Sequence, residues 1–432
     1  MPYYKDLTEK TEQLQLWLDL AHEHGADTSA IESEMRETID RMIEKSRNLP
    51  PQPGYPYEEP DDLEAIKALR PDGPRRLELN LTDDELQDRI LGAWLGRAAG
   101  CTLGVPVEGQ NRAFIEAWAN KLGQPYPLTE YWDDHPGIQH PHYSELIRNY
   151  IKGNIDHVGP DDDIVYTVLG ILILEKYGSG FTTQDVGKAW AEYLPTSCTC
   201  TAELVALKNL INGLTPPETA LVNNPYSEWI GADIRSDPWA YAAPGMPELA
   251  AEFGWRDARV SHIRNGIYGE MFFAAAISAA FAVKSPREAL LVGLTEIPAK
   301  CRMAETVTET LDWVDKDRDW SRTWQRIEEK YKGMHAVHTL NNAAITISAL
   351  LYAEGDFERA ISLAVMGGMD TDCNGATSGS LMGAMLGAKR LPKKWTEPFG
   401  DRLTTYIHGQ PEFSISGLVK RTFDVAKRVT GR

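Results

Sequence analysis

The sequence predicts an all-α fold, and three observations carry that reading. Apolar residues recur at helical spacing through most of the chain after Leu81, while the alternation of a half-buried strand is scarce. Ala, Leu and Ile outnumber runs of β-branched residues. Two glycine series repeat every fourth residue: Gly92, Gly96, Gly100 and Gly104, and then Gly375, Gly379, Gly383 and Gly387. A spacing of four places residues on one helix face. Each glycine inside a helix costs roughly 1 kcal/mol against alanine, so a stripe of them implies a compensating contact. The stripes predict two central helices whose backbones approach closely.

The periodicity places helices over residues 84–100, 110–121, 164–177, 184–193, 201–212, 266–283, 286–295, 301–313, 338–353, 356–366 and 374–388. Ahead of these, residues 6–46 read as two amphipathic helices. The first carries Leu7, Leu14, Leu16, Trp17 and Leu20 and ends near Gly25. The second starts near Ser29 and aligns Ile31, Met35, Ile39, Met42 and Ile43. A proline-rich, then acidic stretch follows, which reads as a linker or as an arm lying on a surface. The expected organisation is a helical pair over residues 1–50, a linker over 51–80 and a main domain over 81–432. The pair is expected to serve either oligomerisation, as a homo-oligomer contact, or packing on the main domain. Residues 223–262 are rich in Pro, Gly, Trp and Asp and read as a long ordered loop over the helical core, a feature that usually carries function.

Of the 432 residues, 42% are hydrophobic, and the net charge is −19. So acidic a chain repels a phosphate backbone, which argues against nucleic acid as a bound polymer. The five cysteines, Cys101, Cys198, Cys200, Cys301 and Cys373, follow neither a disulfide framework nor a zinc-knuckle spacing. No run reaches the ~18 apolar residues of a membrane span. Met1-Pro2-Tyr3-Tyr4-Lys5 lacks the apolar stretch of a secretory signal. The expectation is a soluble, cytoplasmic protein with no membrane partner.

Two acidic turns stand out. Asp161, Asp162 and Asp163 follow Gly159-Pro160 and open an apolar helix. Three adjacent carboxylates repel one another; a helix N-terminus relieves part of that repulsion, and a hard divalent cation relieves more. In Gly367-Gly368-Met369-Asp370-Thr371-Asp372-Cys373, two aspartates at i and i+2 also point oxygens toward one spot before a helix begins. Either turn alone reads equally as a helix cap. Together they supply five carboxylates, Asp161, Asp162, Asp163, Asp370 and Asp372, enough for a pair of oxygen-ligated cations such as Mg²⁺ or Mn²⁺. Glu108, at the end of the first glycine stripe, and His262 are further candidates that in isolation read as a surface glutamate and a structural histidine. In the 223–262 segment, Asn223, Trp229 and Arg235 suit stacking on a base and binding a phosphate; the same residues also read as a structural, Trp-rich loop.

These residues resemble the ADP-ribosylglycohydrolase family, which includes the dinitrogenase reductase-activating glycohydrolases and the ADP-ribosylserine and ADP-ribosylarginine hydrolases. The resemblance runs from about Asp88 to Leu391 and rests on Leu91–Glu108, the Asp161–Asp163 turn, Ser261-His262 and Met366–Gly387. It implies an ADP-ribosylglycohydrolase-like orthogonal helical domain, here with an N-terminal helical extension, and two divalent cations, Mg²⁺ or Mn²⁺. It matches Glu108 to the glutamate that ends the glycine-rich helix in the serine-specific branch, and His262 to a histidine lining the substrate cleft. The family's first ligand motif reads Thr-Asp-Asp-Thr. Two registers match: Asp162 and Asp163 at its paired aspartates put Asp161 at the threonine and keep an oxygen ligand there, the preferred match, whereas Asp161 and Asp162 at those positions put Pro160 at the threonine, with no side-chain ligand. In the second motif Met369 stands at a glycine and Cys373 at a threonine.

The implied activity is metal-dependent hydrolysis of a ribosyl N- or O-glycosidic bond, ADP-ribosyl above all. The substrate would be a small ribosyl compound or an ADP-ribosylated protein. Glu108, Asp162 and Asp163 are the expected catalytic group, and His262, Asn223, Trp229 and Arg235 the expected substrate contacts. Two rivals stand beside this reading: a hydrolase of another N-riboside, such as a nucleoside or small metabolite, and a non-catalytic binding or structural protein on the same scaffold.

Overall fold

The computed structural model describes residues 5–47, 49–134 and 145–432. Met1–Tyr4, part of the stretch read above for a leader, lie outside them. The described residues form twenty α-helices and one short antiparallel ribbon, so the fold is all-α. The chain divides between Tyr57 and Glu58 into two compact units, with Tyr331–His335 grouped with the first.

The first unit contains α1 (Lys5–Glu23) and α2 (Ser29–Arg47). Asp27 turns the chain between them, its carboxylate accepting from Ser29 N at 3.1 Å. Glu32 meets Thr28 in the same turn, and Thr28 is buried. No residue of α2 is buried.

From Glu58 onward the proline-rich stretch is an arm of the second unit. Glu59 pairs with Arg302 at 2.9 Å. Arg70 and Arg75 both reach the wholly buried Glu296, at 2.6 and 2.9 Å. Trp255 Nε1 donates to the Asp61 carbonyl at 2.9 Å. Each of these interactions fixes a polar group that a mobile linker would leave in water.

The core of the second unit is built from α3 (Asp83–Gly104), α4 (Asp162–Tyr177), α5 (Pro247–Ala258), α6 (Asn265–Ala280), α7 (Thr339–Tyr352), α8 (Phe357–Met366), α9 (Thr371–Leu386) and α10 (Ile415–Thr430). Every helix expected after Leu81 is present. Thr82 and Glu85 form a reciprocal capping box that starts α3. α3 and α9 run antiparallel at the centre, and α6, α7 and α8 pack on α9, while α10 packs on α3.

The glycine stripes are the seam between α3 and α9. An added Cβ at Gly92 would lie 2.5 Å from the Gly383 carbonyl oxygen, and Gly96 faces Gly379 and Gly100 faces Gly375 more tightly still. Only glycine permits backbones that close, which is why the helix-propensity cost is tolerated. Asp83–Val107 is long and apolar enough to cross a membrane, contrary to the sequence reading that no run approaches that length, but 83% of its apolar window is buried inside the protein. Its apolarity serves this helix contact.

The 223–262 segment departs from its reading as a loop over the core. It contains a tight turn at Ile230–Arg235, a short helix at Asp237–Ala242 and α5, and residues 230–245 are all buried. The prolines that suggested a loop, Pro238 and Pro247, stand in the first turns of these helices, where a missing N–H breaks no bond.

Candidate metal centre

The α3–α9 seam ends at the acidic cluster. A Cβ at Gly104 would strike the backbone at Thr371 and Asp372, and Thr371 Oγ1 donates to the Gly104 carbonyl at 2.8 Å. The start of α9 is thus pinned to the end of α3. Asp370 precedes α9, and its N–H donates to Asn342 Oδ1 at 3.1 Å. Asn374 Nδ2 donates to the same oxygen at 2.9 Å, so one amide on α7 holds both sides of the turn. Met369 adopts a left-handed backbone (φ 66°). Its N–H donates to the Gln110 carbonyl and its carbonyl accepts from Gly109 N, at 3.0 and 2.8 Å. These two bonds place Glu108 beside the aspartates.

The second half of the cluster opens α4. Asp161 caps that helix, accepting from Asp163 N at 3.0 Å. Asp163 is wholly buried against Arg97 of α3, which donates to its carboxylate at 2.8 Å and to its carbonyl at 2.9 Å. Arg97 also donates to Asp237 at 2.6 Å, and it too is wholly buried. Arg97 was missed in the sequence. The signal was available: it is the one charged residue of the apolar, glycine-striped run from Ile90 to Val107.

Ligand atoms of Asp161, Asp162, Asp163 and Asp372 lie within 4.8 Å of one another, as do those of Glu108, Asp370 and Asp372. The two groups share Asp372. Burial, followed by repulsion from the neighbouring carboxylates, raises the pKa of Asp161, Asp162 and Asp372. Asp163 is pushed up to about 8 by burial despite the opposing pull of Arg97. Glu108 is exposed at the edge of the cluster; the surrounding protein and then Asp370, Asp162 and Asp163 push its carboxyl up to about 8.

Asp163 Oδ2 and Asp372 Oδ1 are buried without a hydrogen-bond partner among the described residues. A carboxylate oxygen left dry and unpartnered is costly. A hard divalent cation would satisfy both oxygens and the repulsion at once, so the donor set fits one. Cys373 groups with Asp163 and Asp372. Burial and the surrounding aspartates hold its thiol well above the usual range, so it stays neutral.

The expected substrate contacts lie elsewhere. Arg235 is buried in a hub of its own. It donates to Glu203 at 2.6 Å, to the Gly231 carbonyl at 2.7 Å, to Ser261 at 3.2 Å and to Asp257, with Trp190 and Tyr166 against its guanidinium. The phosphate-binding role read for Arg235 is corrected: the side chain is buried and four of its five N–H groups are hydrogen-bonded internally. His262 is likewise wholly buried, its Nδ1 2.8 Å from Ser261 Oγ, so it does not line an open cleft. Trp229 is half-buried and packs edge-on against Tyr226. Asn223 is exposed in a left-handed turn (φ 54°). The structure therefore brings together the five aspartates and Glu108, but not these four. It adds Tyr406, whose buried hydroxyl has no partner among the described residues and whose pKa is raised by burial and then by Asp162. Tyr406 follows the strand Leu403–Thr404, where Thr404 N donates to the Val158 carbonyl at 3.0 Å, just ahead of the Asp161 turn. Nothing local in the sequence marks it.

The family model of the ADP-ribosylglycohydrolases matches residues 82–426, and the chain belongs to that family. Membership implies glycohydrolase chemistry. Among solved structures, a chain titled as part of an ADP-ribosylglycohydrolase-related protein complex is similar at 19% identity and a TM-score of 0.49, over 80% of this chain and 99% of that one. No curated protein matches the sequence.

Proposed function

We propose that the protein is a hydrolase that cleaves a ribosyl N- or O-glycosidic bond, with ADP-ribosyl as the leading substrate class and two divalent cations, Mg²⁺ or Mn²⁺, as cofactors. The observation that carries this is the pair of overlapping carboxylate groups sharing Asp372, in a chain of this family. Divalent cations supply Lewis acidity, lowering the pKa of a water and taking vicinal hydroxyl oxygens. Asp161, Asp162, Asp163, Asp370 and Asp372 would hold them. Arg97 fixes the Asp163 carboxylate and balances part of its charge, which suits Asp163 to ligation rather than to proton transfer. Asp162 is only partly buried and is the aspartate of this turn best placed to accept a proton from water. Glu108 is exposed at the edge of the cluster, so it is the acid able to reach a substrate.

A second reading, hydrolysis of an N-riboside without a diphosphate, is favoured by one observation: Arg235, the expected phosphate contact, is buried, with four of its five N–H groups hydrogen-bonded to protein. One experiment separates the readings. An ADP-ribosylated peptide panel and a nucleoside panel are incubated with Mg²⁺ or Mn²⁺, and released ADP-ribose or ribose is measured. The first reading expects ADP-ribose, lost with chelator and in Asp372→Asn. Turnover of nucleosides alone would select the second. Cation binding without turnover of either panel would leave a binding protein.

A further inference from the structure

The N-terminal helical pair poses a problem that it does not solve alone. α1 and α2 each carry an apolar stripe, yet no residue of α2 is buried. Leu7 is 55% exposed, Leu14 41%, Ile31 54%, Ile39 39%, Met42 51% and Ile43 48%. Leu7 and Leu14 lie on one face of α1, seven residues apart; the other four share one face of α2. A groove between the helices passes Leu18, Met35 and Ile39. A unit of this size, Met1–Tyr57 with Tyr331–His335, is only marginally stable on a single core of its own. This one has no cysteine.

We propose that this pair is a dimerisation module, in which two copies of the chain join their α1–α2 faces into a four-helix bundle with α2 antiparallel to its copy across a two-fold axis near Ile39. The charges beside the α2 stripe fit that arrangement. Glu34, Arg41 and Lys45 lie at i, i+7 and i+11, on one flank, acidic toward the start of the helix and basic toward its end. In an antiparallel pair this flank faces the same flank of the other copy, so Glu34 of each copy meets the basic end of the other. A parallel pair would instead set this flank against the opposite flank of the other copy, so that Glu34 would not meet Arg41 or Lys45. Neither Glu34 nor Lys45 has an ion-pair partner among the described residues. The area also fits. The exposed fractions of the six apolar side chains amount to on the order of 400 Å², taking about 150 Å² for each whole side chain. At the ~65% apolar share of homodimer interfaces, that corresponds to on the order of 650 Å² per chain, close to the ~800 Å² of a standard interface.

Sedimentation velocity of the full chain tests this. A dimer is expected at micromolar concentration, with Ile39→Asp monomeric under the same conditions. Glu34→Lys and Lys45→Glu should each weaken the dimer about 3–10-fold, and the double variant should recover it, because the pair is restored with its signs exchanged. A Thr38→Cys chain carrying Cys198→Ser and Cys200→Ser should form an intermolecular disulfide on oxidation; this readout does not depend on a disruptive substitution. A monomer across the micromolar range overturns the proposal, whether the face then folds back on its own chain or awaits another protein. So does a dimer that survives Ile39→Asp. Charge variants that add instead of compensating overturn the antiparallel arrangement.

Discussion

Replacing Gly379 by alanine sets two effects of opposite sign against each other. Helix propensity alone favours alanine by about 1 kcal/mol, so an exposed glycine in the middle of a helix gains stability on substitution. At Gly379 the added methyl would sit 2.7 Å from the Gly96 carbonyl carbon and 3.2 Å from Ile361 Cγ2. Ordinary carbon contacts lie at about 3.5–4.0 Å, and backbone cannot swing aside as a side chain does. α3 and α9 must therefore separate by roughly 1 Å, which loosens the neighbouring glycine layers as well. Overpacking costs about 1–3 kcal/mol, and with backbone on both sides this site takes the upper part of that range, about 2–3 kcal/mol. We expect a net loss of about 1–2 kcal/mol and a fall in Tm of a few degrees. Gly180, with no neighbour within 4 Å, is the control: Gly180→Ala should leave Tm unchanged. Thermal melts by circular dichroism in chelator read the effect without any contribution from cations. A Gly379→Ala protein melting at or above the wild-type temperature would refute the close-approach argument.

Three further outcomes follow from the buried groups. Arg97→Met leaves Asp163 and Asp237 buried without their counter-ion and should cost about 3–5 kcal/mol in urea unfolding; adding Asp237→Asn should recover part of the loss. Burial and Arg235 hold His262 well below its ordinary pKa of about 6.5, so the unfolded chain takes up its proton first as pH falls. The stability His262 contributes is complete above that pH and is lost below it, by up to about 1.4 kcal/mol per pH unit. The difference in stability between wild type and His262→Gln should therefore shrink between pH 7.5 and 5.5, and a pH-independent difference would show that the ring is not kept neutral. Cys373→Thr replaces a neutral thiol beside Asp163 with a hard oxygen and should tighten Mg²⁺ more than Mn²⁺; calorimetric titrations giving equal Mg²⁺ affinity would place residue 373 outside the coordination sphere.

The helices and the acidic turns were legible because each leaves a local trace. Periodicity marks the helices, and the four-residue glycine repeat marks the α3–α9 contact down to the residues that meet. Carboxylates gathered at helix starts mark the cluster. The illegible parts depend on partners distant in sequence. Arg235 reads as a phosphate ligand in isolation, because nothing near it announces Glu203 or Asp257. Burial of His262 is set by its packing against Gly266 and the Ser227 backbone, and no spacing rule foretells it. The 223–262 segment was misread for a related reason. Pro and Gly signal turns on average, whereas here the prolines start helices within the core.

The two buried arginines serve different ends, and the difference bears on what the cluster is for. Arg235 meets Glu203, Asp257 and Glu270, so its hub brings a cation to acids that would otherwise be buried unpaired. Arg97 is divided between Asp163 and Asp237. Its guanidinium does not reach Asp161, Asp162 or Asp372, in a place where burial raises the pKa of all three. A fold concerned only with stability would dispense with those acids, since apolar residues of similar volume fill such positions at no loss or with a gain. Instead the glycine seam, the Asn342 amide and the Asp161 cap hold the carboxylates in place against their repulsion. Rigid support for a destabilising charge cluster is what a site for external cations requires, because binding affinity falls when ligands must first be ordered. The same support explains why the glycine stripe ends where it does: Gly104 and Asp372 are the last pair of the seam and the first of the site.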